Sequence, residues 1–303
     1  MYIESCINLI EKQRPKAVCI VDETSLFGRC RIAAAKLKNI PVISTQHGYI
    51  SNDFFDYLHI KGDISKDLDF HKPFCPTPDK TLVYGPHTKK ILVQPGNYPA
   101  HSVVVTGQPR YDHIGKTSSN NLNKKKILDK YHIKKKMILW TTEEAPEQEA
   151  AVFMAAKRIK NAQLVIRIHP KELNEPSYYY KKAREYGVKI IATKTENTLE
   201  LINASDAVIV KHSTTGLEAI MLGKPVVVLN LSGRPDLATY AQKGAALGVY
   251  NAEDLEKALN KALFDKKTRS GLNKAQKAYS YDHCYKMDGK ATKRALKVIE
   301  SLI

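Results

Sequence analysis

With 303 residues, 43% of them hydrophobic and 26% charged, the chain is long enough for two domains and has the composition of an ordinary globular protein. No apolar run approaches the roughly 20 residues that a bilayer span needs, and the opening MYIESCINLIEKQRPKAV lacks a basic n-region and cleavage site, so it reads as an amphipathic helix. A net charge of +17 attracts polyanions, but no helix-turn-helix, RNA-binding or zinc-finger pattern accompanies it; nucleic acid is not an expected partner, and a peripheral contact with anionic membrane fits the charge better.

A helix over 2–13 precedes the strand Ala17–Val21, which ends at Asp22–Glu23. A helix over 28–38 leads to the strand Pro41–Thr45 and then to Gln46–His47–Gly48. Residues 50–80 are irregular and rich in Asp and Pro; the Asp67–Leu68–Asp69 they contain reads as chance. Strands Thr81–Tyr84 and Ser102–Thr106 flank a helix near 86–93, and Gly107–Gln108–Pro109–Arg110–Tyr111–Asp112 follows. Alternating strands and helices predict a parallel sheet covered on both faces.

The polar, lysine-rich stretch 116–136 breaks this pattern and reads as a linker between a first domain, 1–115, and a second, 137–280. The second domain opens with the strand Met137–Thr141 and continues with helix 147–159, strand 163–168, helix 176–186, strand 188–191 and helix 197–203. Strand 207–210, helix 215–222 and strand 225–229 follow, then helices near 253–264 and 267–280. Residues 281–303 hold an amphipathic helix over 288–302, expected to return to the first domain. The cysteines Cys6, Cys19, Cys30, Cys75 and Cys284 show no CxxC spacing and read as reduced thiols of a cytoplasmic protein; no metal site is expected.

The segment VIVKHSTTGLEAIMLGKPVVVLN, 208–230, carries the most chemistry. Two β-branched strands enclose a helix that Ser213, Thr214 and Thr215 begin and Gly223 and Pro225 end. A helix start offers unpaired N–H groups and the positive end of a dipole, which suits a diphosphate; the same hydroxyls also serve as plain caps. Glu218, one turn on, is within reach of sugar hydroxyls. His47 follows a parallel strand at its carboxyl end, where open α/β sheets place ligands; its near-neutral pKa suits a general base, and Gly48 lets the backbone approach a substrate. Asp22 and Glu23 hold the same edge position and offer an alternative base. Glu143 and Glu144 follow the first strand of the second domain and read as dipole-favoured acids at the helix near Pro146. His169 is aimed outward by Pro170, with Arg167 on the same side of its strand.

Taken together, the 208–230 segment, QHG at 46–48, GQPRYD at 107–112, RIHP at 167–170 and DGKA at 288–291 resemble the GT-B glycosyltransferase superfamily, and within it the CDP-glycerol glycerophosphotransferases and capsule-polysaccharide transferases. The resemblance implies two Rossmann-like domains of GT-B type with a cleft between them, the first shortened or part of a longer polypeptide. It implies a nucleotide-activated sugar or glycerol donor held by Ser213, Thr214, Thr215, Glu218 and Arg167, with Lys211 as a further phosphate contact. His47 would act as base or acceptor ligand, His169 would meet leaving-group charge, and Arg110 with Asp112 would fix the hinge loop by an ion pair. No cofactor or metal would be required. The expected activity is transfer of a glycosyl or glycerophosphate-like group to a surface glycan or lipid-linked acceptor. Two alternatives stand beside it: an isomerase like the UDP-N-acetylglucosamine 2-epimerases, whose first-half acidic and His pattern differs from QHG, and a non-catalytic lobe that binds a partner.

Overall fold

The computed structural model describes residues 1–52, 54–64, 75–114, 121–143 and 145–303; Glu144 and the Asp67–Asp69 pair lie outside the described residues. The chain forms two compact units, Met1–Asp112 with Tyr281–Ile303, and His113–Ser280. Each is α/β with a wholly parallel sheet, the expected fold class.

In the first unit, β1 (Val18–Ile20), β2 (Val42–Thr45), β3 (Lys80–Val83) and β4 (Val103–Val105) lie side by side in chain order. Val18 registers with Val42, and Thr81 with Val103. Helices α1 (Tyr2–Gln13), α2 (Leu26–Leu37), the short α3 (Lys61–Ile64) and α4 (Pro86–Val93) connect them. Ser25 caps α2 by accepting from the Gly28 N–H, and Pro86 starts α4, where its missing N–H costs nothing.

In the second unit the strands run β10–β9–β8–β5–β6–β7. They are β5 (Lys136–Thr141), β6 (Ala162–Arg167), β7 (Ile190–Thr193), β8 (Ala207–Val210), β9 (Val226–Leu229) and β10 (Leu247–Val249). The helices are α5 (Asn121–Lys130), α6 (Glu149–Arg158), α7 (Pro176–Glu185), α8 (Thr198–Ala204), α9 (Thr214–Met221), α10 (Leu255–Phe264) and α11 (Lys266–Cys284). The last helix, α12 (Ala291–Glu300), belongs to the first unit, where Ala295 packs with Ile43 and Leu82. Strands β8 and β9 are buried at every residue, which is why they read as unbroken β-branched runs. Trp140 anchors the core edge-on to both Phe153 and Tyr179.

Strand order reverses between β5 and β8, so the carboxyl ends of these two strands form the place where such sheets bind ligands. Four elements differ from the sequence reading, among them the four-residue α3 within the stretch read as irregular. Residues 121–130, read as linker, form α5, because lysine and leucine are good helix formers and Ile127 is buried. The three-residue β10, with Gly248 at its centre, is too short and too weak a former to register as a strand. Helix α11 continues to Cys284 rather than ending near 280.

Candidate functional site

At the switch point of the second unit, Ser213 caps α9. Its hydroxyl accepts from the Thr215 N–H at 3.2 Å and lies 3.1 Å from the Thr215 hydroxyl. Gly216 is fixed by packing, since a Cβ there would stand 2.8 Å from the ring of Tyr240. The Tyr240 hydroxyl in turn donates to the Ser213 carbonyl.

The anion-binding groups of this turn already hold a carboxylate. Glu143 accepts from the N–H of Lys211 at 2.9 Å, of Ser213 at 3.1 Å and of His212 at 3.1 Å. The His212 imidazole lies 3.3 Å from the same group. The sequence predicts Glu143 to be an acid favoured by the helix near Pro146. It instead crosses to the neighbouring strand end and places its charge at the start of α9. Lys211, expected on a phosphate, pairs with Glu147 at 2.9 Å. Of the three hydroxyl residues, Thr214 is the exposed one. Glu218, expected at the ligand's hydroxyls, is 3% exposed and faces the interior. Helix α9 is buried from Gly216 through Ile220, which leaves only its start at Thr214 exposed.

His169 is exposed after β6. Its N–H donates to the Thr142 hydroxyl at 3.0 Å, and its Nδ1 accepts from the Lys171 N–H at 3.2 Å. An Nδ1 that accepts leaves the proton on Nε2, so the neutral ring presents a donor outward. Arg167 is half-buried; its guanidinium donates to the Ile168 carbonyl, its Nε is buried without a partner among the described residues, and burial lowers its pKa.

Beside this loop lies a cavity of about 360 Å³ lined by Trp140, Thr142, Glu149, Glu172, Tyr178 and Tyr179 among others. The indole N–H of Trp140 is buried with no partner among the described residues, which marks a donor that a ligand or water would satisfy. Tyr179 donates to Glu172 at 2.8 Å, and burial raises the pKa of Glu149. Sequence reasoning missed this cavity: Trp140 and Tyr179 carried only the signal of core aromatics. A larger open depression, about 700 Å³, runs along α10 and contains no residue from the sheet's carboxyl edge.

In the first unit, His47 is exposed after β2. Gln46 is buried and builds the loop, accepting from the Tyr84 N–H at 2.8 Å and donating to the Gly48 carbonyl at 2.7 Å. Among the described residues, nothing beyond its own chain neighbours lies within 4 Å of a Cβ built at Gly48, so packing among them does not demand glycine there. Asp22 and Glu23, the alternative bases, have structural occupations. The Asp22 carboxylate accepts from the Thr24 and Ser25 N–H groups and closes the turn into α2; burial raises its pKa, and these bonds outweigh that to leave it lowered. Glu23 is 4% exposed and accepts from Tyr98 at 2.7 Å and Thr81 at 3.2 Å; burial raises its pKa against those bonds.

Arg110 is exposed beside the Tyr111 ring. The ion pair expected between Arg110 and Asp112 gives way to a helix cap. Asp112 accepts from the N–H groups of Ala291 and Thr292, both at 2.8 Å, and from the Thr292 hydroxyl at 2.6 Å. Arg294 completes the lock, donating to both oxygens of Asp288 at 2.9 Å and to the Thr106 carbonyl at 2.7 Å. GQPRYD and DGKA are thus two halves of one structural joint.

Residues 78–300 match the family described as UDP-N-acetylglucosamine 2-epimerase. Among solved structures, the chain is similar to the UDP-GlcNAc 2-epimerase from Neisseria meningitidis bound to UDP-GlcNAc, with TM-score 0.68, 16% identity, 99% of this chain covered and 80% of that one. It is also similar to a glycosyltransferase from Rickettsia africae ESF-5, with TM-score 0.60, 14% identity, and coverage of 99% and 80%. These likenesses show a GT-B-like fold that isomerases and transferases share. The uncharacterized protein MJ1060 of Methanocaldococcus jannaschii is 28% identical over 138 residues, which take in 45% of this chain and 21% of that relative, so the chain matches about a fifth of its length. The family match runs through β3, β4 and the whole β5–β9 edge, and it overturns the expected glycosyl or glycerophosphate transferase. In place of the expected CDP-glycerol glycerophosphotransferase kinship, the chain belongs to the UDP-N-acetylglucosamine 2-epimerase family.

Proposed function

We propose that this chain is a nucleotide-sugar isomerase that inverts carbon 2 of UDP-N-acetylglucosamine or a near relative. The observation that carries the reading is the family match across 78–300, which includes both strand ends at the switch point of the second unit. Inversion at carbon 2 breaks a C–H bond and remakes it on the opposite face, so it needs groups that take and return a proton, and it needs no acceptor. His169, with its Nε2–H outward, and the exposed Thr214 at the start of α9 supply donors for a diphosphate. The Glu143 carboxylate holds the neighbouring N–H groups, so a diphosphate uses the exposed side of the turn. His47 is our candidate for proton transfer, and a nucleotide-sugar substrate is the support for a cytoplasmic location.

Trp140 is the sole tryptophan, and its cavity shares Thr142 with the His169 loop, so its fluorescence reports on the site. Titration with UDP and UDP-N-acetylglucosamine is expected to give a saturable change that His169→Ala weakens. At 100 times its dissociation constant either ligand should also add about 2.7 kcal/mol of stability. A response to CDP-glycerol with none to UDP would sink the reading.

A further inference from the structure

Independently of the proposed activity, we propose that His87, Asp282 and His283 form a binding site for a first-row divalent transition metal, with Zn²⁺ as its probe. Their ligand atoms all lie within 4.8 Å of one another, in a group drawn from two elements far apart in sequence. His87 stands in the first turn of α4, and Asp282 and His283 close α11.

The backbone that carries them is held tightly. A Cβ at Gly85, the residue that caps α4, would sit 2.2 Å from the Asp282 carbonyl oxygen and 2.6 Å from the His283 carbonyl carbon. Only glycine lets these two helix ends approach so closely, so the three side chains meet because of packing and not through a chance encounter of mobile surface groups. His283 is 6% exposed, its ring 4.3 Å from that of His87 and 6.0 Å from that of Tyr49. Asp282 is exposed and forms the mouth.

The spacing favours an ion over a direct bond. His87 Nδ1 and an Asp282 carboxylate oxygen are 3.8 Å apart, too far for a hydrogen bond. Zinc bonds of about 2.0–2.2 Å to nitrogen and oxygen place tetrahedral ligands roughly 3.3–3.5 Å apart. The three atoms therefore close on an ion by rotamer shifts on the order of 1 Å. Two imidazoles and one carboxylate are a donor set suited to zinc and its neighbours and unsuited to calcium or magnesium. Three protein ligands leave a fourth position for water. Tyr49, against His283, lies two residues beyond His47, so the ion adjoins the QHG loop at the carboxyl edge of the first unit's sheet. Sequence spacing hid the site because His87 and the Asp282–His283 pair are nearly 200 residues apart.

The test uses tag-free full chain stripped with a chelator and titrated with Zn²⁺ against a chromophoric competitor, then with Co²⁺ to read its visible bands. The expected result is one ion per chain, intense tetrahedral Co²⁺ bands, and affinity weakened at least roughly tenfold in His87→Ala and in Asp282→Asn. His101→Ala, an exposed histidine elsewhere in the unit, should match wild type. Asp282→Asn alters an exposed side chain and keeps its shape, so it remains informative if His87→Ala unfolds. Sub-stoichiometric binding by wild type, or wild-type affinity in Asp282→Asn, would overturn the proposal.

Discussion

Lys224 shows how a residue inside the most telling motif has a task that the motif does not announce. Within GKPVV its ammonium donates to the carbonyls of Asn203 at 2.6 Å and Ser205 at 3.1 Å, which satisfies the carboxyl end of α8. Burial, and then the positive charge of Lys124, bring its pKa down to about 8. An unfolded lysine titrates near 10.4, so between about pH 8 and 10.4 the unfolded chain binds more protons than the folded one, and stability rises with pH. Wild type should therefore gain on Lys224→Met across that window, by on the order of 1–2 kcal/mol, in parallel denaturant titrations at pH 7.5 and 10. A constant difference would show that the ammonium is not penalised. Glu218 and Glu143 carry the same lesson. Each was read from its distance to a strand or helix start, and each is engaged by the fold itself. Sequence spacing says how far a carboxylate is from an edge; it does not say which N–H groups of another loop will claim it.

At the scale of elements, the alternation of strand and helix was legible almost residue by residue, because β8 and β9 are buried on both faces and α1 and α12 are strongly one-sided. What was not legible was pairing across the chain. GQPRYD and DGKA are separated by about 180 residues, and only the fold brings the Asp112 carboxylate to the bare N–H groups of α12. Asp112→Ala removes a helix cap with three partners and should cost about 1–2 kcal/mol, read as a lower urea midpoint, whereas Asp112→Asn should retain part of it. Equal loss in both variants would point to charge rather than capping. The joint also accounts for Gly107, whose φ of +79° and 3.2 Å approach to the Ala291 Cβ leave no room for a side chain.

At the scale of the whole molecule, the parallel α/β class followed from periodicity and the GT-B type from the resemblance, but the reaction followed from neither. A helix start after a buried strand suits a diphosphate but does not name a reaction, and both a transferase and an isomerase share this fold. QHG was one of several motifs behind the transferase expectation; in the structure Gln46 builds the loop and, among the described residues, packing makes no demand on Gly48, which leaves His47 as the candidate chemical group of the three. Among the described residues, no helix is long and apolar enough to cross a membrane. The most direct test of the account is to incubate the chain with UDP-N-acetylglucosamine alone and follow the sugar's proton signals and the diphosphate's phosphorus signals by NMR. A second UDP-N-acetylhexosamine, inverted at carbon 2, should accumulate to a fixed ratio and form more slowly with His47→Asn. An unchanged spectrum from protein that binds UDP would contradict the account.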